Sequence, residues 1–186
     1  MTGAITVQRY EMPQAAKQFD AILPVYEEVY AEPPYCEGPR EVAEFLDRLD
    51  DQLNRPGFRL AIAAADAAVI GFSFGFLLPA DTHWWTDELK PLPDEFTHEN
   101  GQRTFAIIEL AVRARFRRRG VGSRLHAALS DRLTAERITL AVRPEPEAAP
   151  ARAAYVAWGY RKVGQAQPWY GAPIYDTMML DLNDNG

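Results

Sequence analysis

The spacing of apolar residues changes along the chain and predicts a first strand followed by two helices. The strand is predicted at "AITVQRY", close to the N-terminus. Residues 13–31, "PQAAKQFDAILPVYEEVYA", and residues 38–53, "GPREVAEFLDRLDDQL", carry apolar side chains at helical spacing. Each segment is therefore predicted to be a helix, and we expect Pro24 to begin or kink a second segment of the first helix.

The most apolar stretch runs from Leu60 to Ala80 and approaches the length of a membrane-spanning helix. Asp66 interrupts this stretch, and beyond it phenylalanines alternate with glycine or serine in "GFSFGF". Alternation with glycine is typical of a strand and unfavourable for a spanning helix. We therefore predict two buried strands, "FRLAIAAA" and "AAVIGFSFGFLL", joined near Asp66, and expect no membrane partner.

The second half of the chain continues the mixture of strands and helices. A strand is predicted at "RTFAIIELAV" (103–112), and apolar residues recur at helical spacing from Val121. A strand "ITLAVRP", a short helix around "APARAAYVAWGY" and strands near "RKVGQA" and "IYDTMMLDL" follow. The element order β-α-α-β-β-β-α-β-α-β-β predicts a mixed α/β sheet with helices on its faces.

Length and composition indicate one globular domain spanning residues 1–186. The chain has 186 residues, and 47% of them are hydrophobic, which is enough for a substantial core. Cys36 is the single cysteine, so an intrachain disulfide is impossible, as suits a reducing compartment. The N-terminal residues do not resemble a signal peptide, and we expect a cytoplasmic protein.

Positive charge is concentrated in "RARFRRRGVGSRL" (113–125), although the formal net charge of the chain is −6. This segment joins the strand that ends at Val112 to the helix that begins near Val121. The first turn of a helix has free N–H groups, and Gly120 and Gly122 would let a ligand approach the backbone closely. Arginine side chains add donors suited to phosphate oxygens. The segment therefore predicts a binding site for a multiply charged phosphate compound, such as a pyrophosphate.

Other ligand classes fit the sequence less well. A P-loop would need a Gly-Lys-Ser/Thr ending, and Leu125 stands where a dinucleotide fingerprint needs a third glycine. The basic cluster is local in an acidic chain, so we expect no nucleic-acid partner. We also expect no metal, because His83, His98 and His126 lack ligand spacing to one another or to Cys36. His126 is expected to face solvent.

Two segments carry a resemblance to a known family. Residues 117–122, "RRRGVG", resemble the acetyl-CoA loop of the GNAT superfamily of N-acyltransferases, whose pattern is Arg/Gln-x-x-Gly-x-Gly/Ala. The preceding "ELAV" looks like the fourth strand of that fold. Downstream, "AYVAWGYRKVG" resembles the Tyr-x-x-x-Gly-Phe/Tyr segment of the family, with Tyr155, Gly159 and Tyr160 in place. The predicted element order fits the family over nearly the whole chain.

The resemblance implies a fold, a reaction and a cofactor site. The fold would be a mixed, mostly antiparallel sheet of about seven strands, splayed between strands 4 and 5 and flanked by about four helices. The reaction would be transfer of an acetyl group from acetyl-CoA to a primary amine, with a small molecule favoured, by direct nucleophilic attack. The main chain of the fourth strand would bind pantetheine, with an N–H near Ala111 polarising the thioester, and the turn would bind the pyrophosphate. The implied cofactor-binding residues are Leu110, Ala111, Val112, Arg117, Arg118, Arg119, Gly120, Val121, Gly122 and Ser123.

Two residues are the candidates for acid–base catalysis. Glu109 is the only acid in "FAIIELAV", where a charge is costly unless it has a task or a partner, so Glu109 is the candidate base. The alternatives for Glu109 are an ion pair with a neighbouring arginine or a carboxylate that points into the open cleft without taking part in chemistry. Glu145 and Glu147 are the alternative bases. Tyr155 resembles the proton donor to the CoA thiolate in the family, and the alternative is a tyrosine packed in the core.

Several alternatives stay open at this point. Many members of the family carry an asparagine at the position of Ala148, so no role is assigned there. "HWWTDE" and "PDEFTHEN" would line the acceptor pocket, or form a surface lid or the contact of a homodimer. The acceptor could instead be a protein N-terminus or lysine, and the acyl group another than acetyl. A non-catalytic module that senses acyl-CoA is the alternative from another functional class.

Overall fold

The computed structural model describes residues 4–182 of the chain and confirms the predicted fold class. Its strands are Thr6–Glu11 (β1), Arg59–Ala65 (β2), Ala68–Leu77 (β3), Thr104–Val112 (β4), Arg137–Val142 (β5), Arg161–Ala166 (β6) and Tyr175–Asp181 (β7). Its helices are Phe19–Tyr30 (α1), Pro39–Leu53 (α2), Asp94–Thr97 (α3), Val121–Ser130 (α4) and Ala149–Ala157 (α5). Within the described residues the strands form a seven-stranded sheet in the order β1-β2-β3-β4-β5-β7-β6.

The chain divides into two compact units. One comprises Met1–Phe76 with Ile107–Leu133, and the other comprises Leu77–Ala106 with Thr134–Gly186. Antiparallel pairing joins β1 to β2 and β2 to β3 in the first unit, and β5 to β7 and β7 to β6 in the second. That residues 1–186 form a single domain stays a prediction.

The apolar stretch that begins at Leu60 forms the hairpin of β2 and β3 that its alternation predicts. Asp66 and Ala67 make the turn with φ values of 48° and 63°, and Ala65 faces Ala68 across it. Positive φ at both central residues matches the right-handed twist of a two-residue hairpin. In residues 4–182, no helix combines the length and the apolarity that crossing a membrane requires.

Pro24 does not begin a second helical segment, which was one of the two expectations, and the kink at Pro24 stays a prediction. A 3₁₀ turn at Ala15–Gln18 leads into α1, and Pro24 lies inside that helix. Proline removes one backbone hydrogen bond from a helix. The buried side chains of Ile22, Val25 and Tyr26 lie on both sides of it, and their packing offsets that loss.

Two arginines fix the C-terminal end of α4. Arg9 of β1 donates to the carbonyl oxygens of Ala128 and Asp131, at 3.3 and 2.8 Å. Arg59 of β2 donates to the carbonyl oxygens of Leu129 and Asp131, at 2.6 and 2.9 Å. Cations are favourable at this end of a helix, because the last carbonyl groups lack partners within the helix. The opposite end of α4 is the glycine turn.

In the second unit, a buried ion pair anchors the long connection of residues 79–101. Glu99 and Arg137 are 3% and 4% exposed, with 3.0 Å between their charged groups. The same Glu99 oxygen, Oε1, accepts bonds from Trp85 Nε1 at 3.1 Å and Thr104 Oγ1 at 2.7 Å. The connection also pairs with β6, because Leu89 N–H donates to Gln165 O at 2.7 Å. This connection is therefore packed structure rather than a free loop.

Candidate active site

Glu109 lies on β4 in the first unit and is held at both its side chain and its main chain. The hydroxyl of Tyr30 donates to Glu109 Oε2. The hydroxyl of Ser73 on β3 donates to the main-chain oxygen of Glu109 at 2.7 Å. Tyr30 and Ser73 are buried, whereas Glu109 is half-buried. These two hydrogen bonds fix the position of Glu109. The group that donates to its carboxylate, the Tyr30 hydroxyl, carries no charge.

The arginines that follow Glu109 on the chain are paired with other carboxylates, so within residues 4–182 the structure does not show the ion pair that was the alternative for Glu109. Arg113 is paired with Glu28, and Arg117 is paired with Glu32 at 2.7 Å. Among residues 4–182, the hydrogen bond to the Glu109 carboxylate comes from Tyr30. The charge of Glu109 is therefore not committed to a fixed cation.

Burial raises the pKa of Glu109 to about 7. The hydrogen bond from Tyr30 lowers this pKa, the charge of Glu37 raises it and the charge of Arg48 lowers it, each less than burial does. A carboxyl group that ionises near neutral pH can both take up and release a proton, which suits a general base.

An aromatic cluster surrounds the tyrosine that binds Glu109. The Tyr30 ring lies 4.5 Å from the Tyr26 ring and 4.9 Å, edge-on, from the Tyr35 ring. The Tyr26 hydroxyl donates to Glu37 Oε2 at 2.6 Å. No sequence motif singled out Tyr30, Ser73 or Glu37. Tyr26 and Tyr30 share the buried face of α1, so the helical period marks them as core residues without revealing their hydroxyl partners.

A turn lies between β4 and α4, at the segment where phosphate binding is predicted. Gly120 is the N-cap residue of α4 with φ 75°, and a Cβ there would meet no atom within 4 Å. Glycine is therefore required by the backbone conformation and not by crowding. The first bond of the helix runs from Arg124 N–H to Gly120 O at 3.1 Å. The N–H groups of residues 121–123 precede that bond, as an anion-binding helix terminus requires.

The arginines of the turn do different things. Arg117 Nε donates to Val112 O at 2.9 Å, and its Nη1 is paired with Glu32. This side chain therefore joins the turn to the end of β4, and the Arg117 main-chain N–H donates to Ala114 O at 3.1 Å. The role of Arg117 in binding the cofactor stays a prediction. Arg118, at φ 59°, and Arg119 are exposed, and Arg119 lies over the Phe116 ring at 5.9 Å.

The three residues implied to bind pantetheine follow Glu109 directly on β4. Ala111 and Val112 are buried, and Leu110 is half-buried. A Cβ at Gly71 of β3 would lie 2.8 Å from the carbonyl oxygen of Ala111, so glycine permits the close approach of the backbone there. The backbones of β3 and β4 therefore lie close together at the implied site.

Tyr155 and the alternative bases belong to the second unit. Tyr155 is 9% exposed, and its ring lies 5.5 Å from Trp158 and 5.8 Å from Tyr160. Hydrogen bonds from Arg143 lower the pKa of Glu145, which makes Glu145 a weaker base than Glu109. Glu147 is exposed. The role of Tyr155 as a proton donor stays a prediction.

Two smaller expectations have different outcomes. His126 does not face solvent: it is half-buried, and burial lowers its pKa to about 4, so it is neutral at pH 7. The segments proposed for the acceptor pocket contribute Trp85, Thr86, Glu88 and Thr97 to the lining of a cavity of about 340 Å³ in the second unit. Trp85 also donates to the buried Glu99, which explains one of the two adjacent tryptophans by packing.

Comparison with known protein families gives a match over most of the chain. Residues 22–160 match the sequence model of the acetyltransferase (GNAT) family. No curated protein sequence matches the chain.

Solved structures share the fold at low sequence identity. PH1933 from Pyrococcus horikoshii OT3 has a TM-score of 0.67 at 18% identity, covering 97% of this chain and 99% of that one. The ribosomal-protein-S18-alanine N-acetyltransferase from Escherichia coli has a TM-score of 0.63 at 16% identity, covering 98% and 97%. The PaiA N-acetyltransferase from Thermoplasma acidophilum, in complex with coenzyme A, has a TM-score of 0.60 at 11% identity, covering 96% and 99%.

Proposed function

The chain belongs to the acetyltransferase (GNAT) family, and from this premise we propose that it transfers an acetyl group from acetyl-CoA to a primary amine, a small molecule being the favoured acceptor. The main observation behind this proposal is the environment of Glu109. It is a half-buried carboxylate on β4 with a tyrosine hydroxyl as its donor and a pKa of about 7. A group of this kind suits removal of a proton from an ammonium ion at neutral pH.

The proposed reaction is a direct attack in which Glu109 acts first. Its carboxylate takes a proton from the acceptor ammonium, and the neutral amine forms a bond from nitrogen to the thioester carbonyl carbon. The carbon–sulfur bond then breaks, the amide nitrogen loses its second proton to solvent, and the CoA thiolate is protonated. Tyr155 is the proposed donor of that last proton. An N–H group near Ala111 would stabilise the oxyanion.

The turn that precedes α4 supports the assignment of acetyl-CoA. Its N–H groups at Val121, Gly122 and Ser123 suit the pyrophosphate, and exposed Arg118 and Arg119 add positive charge. Arg9 and Arg59 bind the carbonyl groups at the other end of the same helix, which holds α4 in place. A structure with the same fold is a complex with coenzyme A.

The proposal is tested by measuring release of the CoA thiol from acetyl-CoA over a panel of amines. The panel includes small monoamines, diamines, aminoglycosides and peptides with a free N-terminus or a lysine. We expect release that depends on the amine, and a small amine as a better substrate than either peptide. Tight CoA binding without release for any amine would favour the sensor module instead.

The cofactor site is tested separately by calorimetry with CoA. Gly122→Val adds a β-branched side chain in the first turn of α4, where the pyrophosphate would approach, and should weaken CoA binding in a folded protein. Ala127→Val is the matched control, since it adds the same side chain at an exposed position of the same helix. Equal affinity in both variants would remove the turn from the proposed CoA site.

A further inference from the structure

Tyr30 is a buried tyrosine at the last residue of α1, and it bonds to a residue 79 positions further along the chain. We propose that Tyr30 is a positioning residue for the reaction: its hydroxyl holds the Glu109 carboxylate ionised and oriented, so that Oε1 is the atom that receives the proton of the amine. This inference rests on the proposed function, because it assigns Glu109 the role of base.

The geometry fixes Glu109 at two points. Tyr30 binds the carboxylate through Oε2, and Ser73 binds the main-chain oxygen of the same residue at 2.7 Å. Both donors are buried, with Tyr30 8% and Ser73 0% exposed. The hydrogen bond from Tyr30 occupies one lone pair of Oε2, so Oε1 is the more basic oxygen and the favoured acceptor of the amine proton.

Tyr30 is itself suited to act as a constant donor. Its ring is packed against Tyr26 at 4.5 Å and Tyr35 at 4.9 Å, so the hydroxyl has a defined direction. Burial, followed by the charge of Glu109, raises the pKa of Tyr30 well above its ordinary value. The hydroxyl therefore keeps its proton throughout the pH range in which Glu109 titrates.

Tyr30 opposes the effect of burial on Glu109. Burial favours the protonated carboxyl group, whereas the hydrogen bond from Tyr30 favours the carboxylate. The other charged groups that act on Glu109 are Glu37, which favours protonation, and Arg48, which favours ionisation. A hydrogen bond to a charged group is strong enough to shift the pH at which that group is half-ionised by about 1 to 2 units. Without the hydroxyl, Glu109 would hold its proton to a higher pH.

Tyr30→Phe tests this role through the pH profile of kcat/KM. The ring and its packing remain, and the limb of the profile assigned to Glu109 should move to higher pH by about 1 to 2 units. The rate at pH 6 should therefore fall by about 10- to 100-fold, while the plateau at high pH stays close to that of the wild type. A lower rate at every pH without movement of the limb would overturn the proposal.

Tyr26→Phe is the matched control. Tyr26 lies one turn earlier on α1, is also buried, and donates its hydroxyl to Glu37 at 2.6 Å instead of Glu109. We expect a smaller movement of the limb in this variant than in Tyr30→Phe. An equal movement in both variants would mean that the tyrosine cluster, and not the Tyr30 bond, sets the ionisation of Glu109.

A measurement that needs no turnover separates this inference from the proposed function. Carbon-13 NMR of glutamate carboxyl groups, with the Glu109 signal assigned from a Glu109→Gln sample, gives the midpoint of its titration. Tyr30→Phe should raise that midpoint by about 1 to 2 pH units. An unchanged or lower midpoint would overturn the role of Tyr30, whereas a raised midpoint in a protein that acetylates no amine would leave that role intact and contradict only the proposed function.

Discussion

Glu99 is buried and Glu109 is half-buried, and the groups that surround the two carboxylates differ in kind. Glu99, in the second unit, accepts hydrogen bonds from Arg137, Trp85 and Thr104. Among the described residues, the side-chain donor to the Glu109 carboxylate, in the first unit, is the neutral hydroxyl of Tyr30. The Glu99 carboxylate is therefore bound to a permanent cation, Arg137, whereas the Glu109 carboxylate is bound to an uncharged hydroxyl group.

The difference separates a structural carboxylate from one suited to chemistry. Arg137 also lies over the Phe96 and Trp85 rings, at 4.6 and 5.4 Å, so the Glu99 pair is enclosed by the segment that it anchors. Breaking such a pair leaves an uncompensated buried charge. Glu109 has a pKa of about 7 because burial acts on it without a bound cation, and it can exchange a proton at neutral pH.

The largest effect should come from Glu109→Gln, which keeps the shape of the side chain and removes the base. We expect the acetyl-transfer rate at pH 7 to fall by about 10²- to 10⁴-fold, the usual range for loss of general catalysis. Glu27→Gln, at an exposed position of α1, is the control and should retain the wild-type rate. Steady-state kinetics of both variants would settle the comparison, and full activity in Glu109→Gln would transfer the role of base to Glu147, Glu145 or solvent.

For the buried pair Glu99–Arg137 in the second unit, we expect substitution to change the free energy of unfolding. Arg137→Met should lower the free energy of unfolding by about 3–5 kcal/mol, because Glu99 loses its counter-ion while it stays buried. Urea denaturation would measure this loss. In the double variant Glu99→Gln, Arg137→Met much of the stability should return, since no unpaired charge remains. A loss below about 1 kcal/mol in Arg137→Met would mean that the pair is not an anchor.

The two carboxylates should also differ in how pH changes stability. The folded-state pKa of Glu109 is about 7, above its ordinary value of 4.5, so its contribution is fully present below pH 4.5 and is lost as the pH rises through 7. Glu109→Gln should therefore gain about 3 kcal/mol relative to the wild type between about pH 4.5 and 8. Urea denaturation of both proteins at each pH gives this difference, in which the contribution of His126 cancels. A difference that is independent of pH would contradict the raised pKa.

A smaller effect is expected from the tyrosine of the second unit. Tyr155→Phe keeps the ring contacts with Trp158 and Tyr160 and removes the proposed donor to the thiolate. The CoA thiol, with a pKa of about 8.5 by analogy with cysteine, leaves tolerably well without a donor. Turnover should therefore drop by about tenfold or less, with the melting temperature unchanged. An early-melting variant with normal turnover per folded molecule would make Tyr155 a core residue.

Local sequence patterns predicted most of the fold and singled out the turn and the carboxylate of the candidate site. Strand and helix periods are set by neighbouring residues, so the elements could be placed before the structure was known. The turn at Gly120 was predicted for a similar reason, because the glycine and arginine pattern that indicates it lies within a few consecutive residues. Glu109 stood out as the one acid in an apolar strand, where an unpaired charge is costly.

The partners of those residues could not be predicted, because they depend on pairings between distant segments. Tyr30 and Ser73 lie 79 and 36 positions away from Glu109, and nothing local distinguishes them from other helix or strand residues. Arg117 matched the cofactor pattern, yet the tertiary structure pairs its side chain with Glu32. The burial of His126 likewise follows from packing between elements and not from its own helix.

The pH dependence of kcat/KM in the wild type and in Glu109→Gln tests the central claim most directly. If Glu109 accepts the amine proton, kcat/KM of the wild type rises with pH and becomes level above the pKa of Glu109, which is about 7. The profile of the variant should continue to rise until the amine itself loses its proton, so that the rates of the two proteins converge at high pH. Two profiles that become level at the same pH would contradict the assignment of Glu109 as the base.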